Sequence, residues 1–258
     1  MVMSPQVAIP RGYYSGPWTP RRLAGKEGWY DASQIGGLAD GDPVTTWPDM
    51  SGKKRDATSS GASRPTFKVS IVNGKSVVRF DGVGTYMNLG NVFNFERTDT
   101  FTIYVVSQTD VNSKALIGKL TAGAEKGWGL AISGADFLQP ILSNSVAGTL
   151  YLQVSGSTDV VNASWWITAI TYTGNSLAAG VTNYVNGAAE TPTVDNDNLG
   201  ANSIVHAGNT SIGARADGTE VFFSGDIAEI LVVGRVVSVS ERRLLDKYFG
   251  RKYGLAVS

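Results

Sequence analysis

The predicted fold is decided by the stretch Phe222-Phe223-Ser224-Gly225-Asp226-Ile227-Ala228-Glu229-Ile230-Leu231-Val232-Val233-Gly234, close to the end of the chain. Residues 227–233 are nearly all apolar and contain no proline. Simple alternation places Ile227, Glu229, Leu231 and Val233 on one face of a strand, and Ala228, Ile230 and Val232 on the other. Because both faces are apolar, the pattern predicts an interior strand that is covered on both sides.

A helix is predicted directly after this strand. Ser238 and Glu241 have the spacing of a capping box, in which each side chain bonds the free backbone N–H of the other residue. Gly254 can adopt the left-handed conformation that ends a helix. The predicted apolar side carries Leu244, Leu245, Tyr248, Phe249 and Tyr253, and the predicted polar side carries Arg242, Arg243, Asp246, Lys247 and Lys252. A buried strand that leads into one short terminal helix is a way of closing a β-sandwich and is not a catalytic signature.

The same stretch carries a resemblance to a known family. The run Gly225-Asp226-Ile227-Ala228-Glu229-Ile230-Leu231, followed by Ser240-Glu241-Arg242 and Lys252-Tyr253-Gly254-Leu255, resembles the end of a laminin-G-like, concanavalin-A-like jelly-roll domain. The family's opening blocks are matched in order by Trp29-Tyr30-Asp31-Ala32-Ser33, Trp47-Pro48-Asp49 with Ser51-Gly52, Asp56-Ala57-Thr58 and Val78-Arg79-Phe80-Asp81-Gly82. The resemblance covers about residues 27–255. It implies an all-β jelly-roll sandwich of two antiparallel sheets, with a short C-terminal helix.

The composition fits one large β domain. The chain has 258 residues, 31 glycines and only 17% charged residues, which is typical of a turn-rich all-β protein. It has no cysteine, so disulfides and thiolate chemistry are excluded. The 22 basic and 22 acidic residues balance, which argues against a surface dominated by nucleic acid or membrane binding. We predict two parts, an extended N-terminal arm over residues 1–26 and a sandwich over residues 27–258.

The predicted arm differs in composition from the sandwich. Its prolines favour an extended path, and no acidic residue precedes Glu27. The candidate docking residues combine positive charge with large rings: Arg11, Tyr13, Tyr14, Trp18, Arg21 and Arg22. Two interpretations stay open. The arm lies on a partner or a neighbouring copy, or it folds back on its own body with Trp18 plugging one end of the sandwich.

Strand and turn signals continue between the arm and the closing stretch. Asn73-Gly74 and Asn186-Gly187 are tight hairpin signals. The run 164–172 is a long predicted strand in which Trp165 and Trp166 must face opposite sides. Trp29 and Trp47 are interpreted as core or rim aromatics, and residues 191–204 are interpreted as a polar loop.

Motifs that would indicate catalysis are weak. His206 is the single histidine, and no Gly-x-Ser-x-Gly motif accompanies it, so it is interpreted as a solvated loop residue. Asp226 and Glu229 are the nearest match to a glycosidase carboxylate pair. Their spacing of three places them on opposite faces of a regular strand, and Glu229 is interpreted as a buried, paired acid. We therefore predict no catalytic residue.

Calcium is the one metal ion that the sequence suggests. We predict no cofactor and no metal-ligating residue. Asp195-Asn196-Asp197-Asn198-Leu199-Gly200 is similar to an EF-hand loop, but Leu199 and His206 occupy positions that must ligate. The family resemblance implies a rim calcium site, and Asp81 matches one motif position. The second acid of that motif is replaced by Gly84-Thr85-Tyr86, so Asp81 is interpreted as a turn acid.

The predicted function is binding. The first hypothesis is a non-enzymatic virion surface protein of a tailed bacteriophage, a capsid decoration or fibre-type adhesion module. Its partners would be a virion or capsid protein, copies of itself and a host-surface glycan, with no nucleic acid and no membrane. It rests on the resemblance and on a Met start without a signal peptide, which predicts a virion location. The alternatives are a secreted carbohydrate-binding module and a glycoside hydrolase or lyase of the same fold.

Overall fold

The computed structural model describes residues 17–123, 125–215 and 218–258. These residues form two antiparallel sheets and one α-helix. The helix is α1 (Val239–Tyr253). The strands are β1 (Lys26–Asp31), β2 (Thr46–Trp47), β3 (Ala57–Thr58), β4 (Thr66–Val72), β5 (Lys75–Asp81), β6 (Met87–Asn88), β7 (Phe101–Gln108), β8 (Lys114–Leu120), β9 (Gly127–Ile132), β10 (Leu138–Ser145), β11 (Leu150–Ser155), β12 (Trp165–Tyr172), β13 (Val181–Val185), β14 (Ala188–Ala189), β15 (Thr193–Asp197), β16 (Ser211–Ile212) and β17 (Ser224–Val233).

The strands form a sandwich of one eight-stranded and one nine-stranded sheet. The first has the order β14-β13-β12-β7-β17-β5-β4, and β1 pairs with β17 beside it. The second has the order β15-β11-β10-β9-β8-β16-β6-β3-β2. The predicted all-β sandwich of two antiparallel sheets with a short C-terminal helix is confirmed.

The closing strand β17 lies inside its sheet, as predicted. One of its edges pairs with β7, while its other edge pairs with β5 over its first half and with β1 over its second half. A β-bulge between Ile227 and Glu229 breaks the alternation that the sequence suggested. As a result Ile227 faces the other sheet together with Ile230, while Ala228 faces the helix together with Leu231.

Two separate cores lie on the two faces of the eight-stranded sheet. The inter-sheet core fills the sandwich and includes Trp47, Phe80, Phe101 and Trp128. The helix-side core lies between the sheet and α1 and includes Trp29, Tyr104, Leu245, Phe249 and Tyr253. Trp165 packs against the helix-side core and Trp166 against the inter-sheet core, which confirms their predicted opposite orientations. Trp29 and Trp47 are both buried, so they are core aromatics.

The predicted capping signals at both ends of α1 are present. Ser238 and Glu241 form the reciprocal capping box, and Gly254 has φ +70° at the helix end. The predicted faces are wrong at three residues, because polar partners beneath the helix override apolar spacing. Leu244 is exposed, whereas Asp246 is buried against the Tyr104 hydroxyl and Lys252 reaches a buried acid.

One loop prediction is also wrong. Within the predicted loop 191–204, residues 193–197 form β15, which pairs with β11 at the margin of the nine-stranded sheet. An edge strand that is exposed on both faces needs no apolar alternation. The polar sequence of β15 therefore gave no strand signal. Along the described residues, no helix has both the length and the apolar character needed to cross a membrane.

Candidate functional site

The six predicted docking residues fall into two groups. Arg11, Tyr13 and Tyr14 lie outside the described residues. Trp18 is half-buried and packs against the helix-side core, while Arg21 and Arg22 are exposed. Trp18 lines an apolar groove of about 400 Å³ beside α1, together with Leu244, Gly250, Leu255 and Val257. Trp18 therefore contacts the body of its own chain, and docking through the other residues stays a prediction.

His206 has a structural role rather than the solvated one that we expected. Its Nδ1 accepts a hydrogen bond from the Gly208 N–H at 3.0 Å, so the ring proton lies on Nε2. Nε2 then donates to the Lys119 carbonyl oxygen at 3.0 Å. Both nitrogens of this half-buried ring are engaged by the backbone, which leaves neither free to act as a base.

Glu229 is the buried, paired acid that the sequence suggested. Its side chain is fully buried and accepts hydrogen bonds from the Trp29 indole at 2.6 Å and from the Tyr253 hydroxyl at 2.6 Å. Lys252 Nζ lies 2.6 Å from Glu229 Oε2 and 2.5 Å from Asp31 Oδ2. Burial, assisted by the charge of Asp31, raises the pKa of Glu229, and Lys252 opposes that rise. We call Asp31, Glu229, Tyr248, Lys252 and Tyr253 the Glu229 cluster.

Asp226 and Glu229 share a face of the sheet, contrary to the expectation from their spacing. Asp226 lies opposite Arg79 on β5 and binds its guanidinium through two contacts, at 2.7 and 2.8 Å. Arg79 alternates with Val78 and Phe80, which face the inter-sheet core, so Asp226 points to the helix side, where Glu229 also lies. The bulge in β17 causes this change. Each carboxylate is nevertheless held by its own cation, Arg79 or Lys252.

The residues considered above as calcium ligands have other roles within the chain. Asp81 Oδ1 accepts hydrogen bonds from the backbone N–H groups of Val83, Gly84 and Thr85. Burial alone would raise the pKa of Asp81, but these hydrogen bonds outweigh it and lower that pKa to about 2. Asp81 is the predicted turn acid. The EF-hand-like segment is not a loop, because Asp195 and Asp197 lie in β15. Among the described residues, no group of three or more acidic or histidine side chains is arranged to hold a metal ion.

A polar pocket lies at one end of the sandwich, where β1 and β7 begin and β17 ends. Its volume is about 540 Å³, within the range of small-molecule sites. Its charged and amide-bearing lining comes from Glu27, Arg55, Asn91, Asn94 and Asp99, and Phe93 also lines it. We call this site the end pocket.

The loop that carries Asn91 and Asn94 is fixed by backbone contacts. The Trp128 indole donates to the Phe93 carbonyl at 2.9 Å, and the Thr210 hydroxyl donates to the Val92 carbonyl at 2.8 Å. The Phe93 ring packs closely over Gly28, where an added Cβ would lie 2.6 Å from the ring. The pocket is therefore preorganised by the sandwich below it.

A buried lysine orients the two amides of the end pocket. Lys119 is 2% exposed, and its Nζ donates to Oδ1 of both Asn91 and Asn94. An ammonium group has donors only, so both amide oxygens must face it. The two amide NH₂ groups consequently point away from Lys119, and neither has an acceptor among the residues that the structure describes.

Charges around the end pocket are nearly balanced. Arg55 Nη1 donates to Glu27 Oε2 at 2.8 Å, and its guanidinium lies 5.4 Å from the centroid of the Phe93 ring. Asp99 Oδ2 accepts from the Glu96 N–H at 2.8 Å. The pocket thus offers amide and guanidinium donors beside carboxylate acceptors, without a dominant charge of either sign.

The outer face of the nine-stranded sheet offers a smaller hollow. Gly118 and Gly129 pair at its floor, where side chains would collide, and Gln139, Gln153 and Arg215 stand around it. Its volume is about 90 Å³, less than that of a typical ligand site. The end pocket is therefore the better candidate.

Sequence reasoning missed the end pocket because its residues come from five separate segments. One signal was available. Lys119 stands in the sequence between the run Ala115-Leu116-Ile117-Gly118 and Leu120, and its side chain in β8 is buried. A lysine at such a position needs a partner, and that need points to the polar loop at 91–94.

The comparisons with known proteins agree with this architecture. The model of a family described as the concanavalin A-like lectin/glucanases superfamily matches residues 81–241, more than half of the chain. No curated protein sequence matches the chain.

Several solved structures share the fold at low sequence identity. The sialidase of Trypanosoma rangeli with bound sialic acid has a TM-score of 0.58 and 16% identity, over 90% of this chain and 34% of that one. The binding domain of Paraclostridial Mosquitocidal Protein 1 has a TM-score of 0.57 and 13% identity, over 81% and 51%. The receptor-binding domain of botulinum neurotoxin D has a TM-score of 0.58 and 12% identity, over 87% and 52%. This chain therefore spans about a third to a half of those structures, and the likeness shows the fold alone.

Proposed function

We propose that this chain, which belongs to the concanavalin A-like lectin/glucanases superfamily, is a non-enzymatic binding protein that holds a carbohydrate in its end pocket. The observation that carries the proposal is the orientation of Asn91 and Asn94, whose amide NH₂ groups are turned outward by Lys119. Membership of the superfamily supports a lectin-like role, although fold alone does not determine function.

The chemistry of the pocket suits an uncharged sugar. A sugar hydroxyl both donates and accepts, so it is best bound where donors and acceptors alternate. Asn91 and Asn94 supply donors, and Glu27 and Asp99 supply acceptors. Since the Glu27 carboxylate is already paired with Arg55, the pocket does not select a charged ligand.

The carboxyl groups best suited to acid catalysis are out of reach of such a ligand. A glycosidase needs two carboxyl groups across one bond, and its general acid has a raised pKa. Burial raises the pKa of Glu229 and of Asp246, which are buried between the eight-stranded sheet and α1, with 0% and 1% of their surface exposed. This separation favours binding over hydrolysis.

The test is a glycan array probed with the labelled protein and two matched variants. Asn94→Asp keeps an acceptor for Lys119 but replaces the outward NH₂ group with a carboxylate oxygen. Asn198→Asp makes the same change at an exposed position in another loop. We expect neutral glycans to bind the wild type and Asn198→Asp alike, and to bind Asn94→Asp at least tenfold more weakly. The proposal fails if no glycan binds, if Asn94→Asp binds normally, or if the array glycans are cleaved.

The anchoring part of the proposal concerns the N-terminal segment. We propose that the residues before Trp18 attach the sandwich to a virion surface, where the end pocket would meet a host glycan. Their support is compositional: Arg11, Tyr13 and Tyr14 combine charge with large rings, and no acid precedes Glu27. Trp18 packs against the helix-side core and Leu23 is buried in it. A truncation that keeps the fold should therefore stop before Trp18.

The truncation separates the virion role from the alternative of a secreted module. A protein that lacks residues 1–16 should fold and bind the same glycans as the full chain. If the segment is an anchor, this protein should fail to enter assembled particles. Normal incorporation would contradict the anchoring role and leave the secreted carbohydrate-binding module as the better description.

A further inference from the structure

A second polar pocket, on the helix side of the molecule, has a charge pattern unlike that of the end pocket. It lies between the start of the described chain and the C-terminal part of α1 and has a volume of about 280 Å³. Its charged lining consists of Arg21, Lys75, Lys252 and Asp31, and Ser33 and Gln34 add neutral polar groups. Three cations therefore face one carboxylate.

The single carboxylate of this pocket is already occupied. Asp31 Oδ1 accepts from the Ser33 N–H at 3.0 Å and from the Ser33 hydroxyl at 2.7 Å. Asp31 Oδ2 lies 2.5 Å from Lys252 Nζ, which also binds Glu229. The carboxylate on this wall of the pocket is therefore already paired with Lys252.

The other two cations are not neutralised in this way. Among the described residues, neither Arg21 nor Lys75 has a carboxylate within 4.0 Å. Arg21 is exposed and Lys75 is half-buried, so both can reach a ligand without breaking an existing ion pair. Two unneutralised cations over a fixed, hydrogen-bonded floor form a site for an anion.

We infer that this pocket binds a small ligand that carries a carboxylate or phosphate group. Arg21 offers the planar guanidinium that pairs with either group through two hydrogen bonds, and Lys75 adds a point charge. Gln34 can donate to a third oxygen of the ligand. The site is independent of the end pocket, because the two share no lining residue.

The experiment is an NMR titration of the full chain at constant ionic strength. Inorganic phosphate and glucuronate are the two anionic probes, and glucose is the neutral control. The reporters are the indole N–H of Trp29, a residue that lines the pocket and donates to Glu229, and the Ser33 amide, which donates to Asp31. We expect saturable shifts of both signals with one anion or both, and none with glucose. The anion that saturates distinguishes a phosphate ligand from an acidic sugar.

Three charge-removing variants separate a built site from general attraction. Arg21→Gln and Lys75→Gln should each weaken binding at least threefold, while Arg243→Gln, at an exposed position on α1 outside the pocket, should leave it unchanged. Asn94→Asp should also leave it unchanged. The inference is overturned if neither anion gives a saturable shift, if glucose matches the anions, or if Arg243→Gln weakens binding as much as Arg21→Gln.

Discussion

Lys252 and Lys119 are both largely withdrawn from water, yet their surroundings give them different roles. The Lys252 side chain is 12% exposed and lies between the carboxylates of Asp31 and Glu229. Lys119 is 2% exposed and donates to the amide oxygens of Asn91 and Asn94, which are themselves exposed. A lysine balanced by buried carboxylates holds the fold together. A lysine that orients neutral amides at the surface leaves their donors free for a ligand.

The largest effect on stability is expected at the Glu229 cluster. Lys252→Met keeps the aliphatic stem but leaves Asp31 and Glu229 buried without their cation. Removing one partner of a buried ion pair costs about 3–5 kcal/mol, because the remaining charge is desolvated and unpaired. Chemical denaturation should show a loss of this size in the free energy of unfolding. Lys247→Met, at an exposed position on the same helix, should change it by less than about 0.5 kcal/mol.

The pH dependence of this loss has a definite sign. Burial raises the pKa of Glu229, so the folded state takes up a proton before the unfolded state does as pH falls. Without Lys252 the pKa of Glu229 should rise further, because the lysine charge opposes the rise. The difference between wild type and Lys252→Met should therefore shrink as pH is lowered from about 7 towards the ordinary glutamate pKa. A difference that grows on acidification would contradict this account of the cluster.

Much of the fold was predictable because its signals are local. The Ser238–Glu241 capping box and the apolar run of β17 lie within a few residues of each other, and each acts through near neighbours. The bulge at Ile227 was not predictable, because it depends on the register against β7. The pocket residues Glu27, Arg55 and Asn94 come to line one pocket only after both sheets have formed, so their spacing in the sequence does not predict that they lie close together.

A smaller effect on stability is expected at a partly exposed ion pair. Arg235 Nη2 lies 2.7 Å from Glu241 Oε1, and the two side chains are 32% and 29% exposed. The hydrogen bond from Arg235, with the N-cap contacts of Ser238, lowers the pKa of Glu241 to about 2 despite partial burial. Glu241→Gln should cost about 1 kcal/mol near pH 7, since it weakens both the cap and the pair.

The pKa of Glu241 is shifted in the opposite direction to that of Glu229, so the expected pH dependence of stability also differs. A carboxyl group with a lowered pKa stabilises the folded state above its ordinary pKa and loses that contribution as pH falls. The stability difference between wild type and Glu241→Gln should therefore vanish between about pH 4.5 and pH 2. Denaturation curves over this range measure it. A difference that persists at the acidic end would show that the charge of Glu241 is not the source.

The smallest effect on stability is expected in the end pocket. Asn94→Asp changes a surface side chain and gives Lys119 a charged acceptor, so the free energy of unfolding should change by no more than about 0.5 kcal/mol. The same denaturation assay measures it. A loss comparable to that of Lys252→Met would mean that Asn94 belongs to the structural interior, and the contrast between the two lysines would no longer hold.

The most direct test of this contrast is the glycan affinity of Lys119→Met, measured by calorimetry with the strongest neutral glycan from the array. Methionine keeps the packed stem, and the exposed amides can turn to water, so the variant should lose only about 1 kcal/mol of stability. Without the ammonium group the two amides are no longer oriented, and the affinity should fall at least tenfold. An affinity within twofold of the wild-type value, in a folded variant, would contradict the claim that Lys119 prepares this pocket to bind sugar.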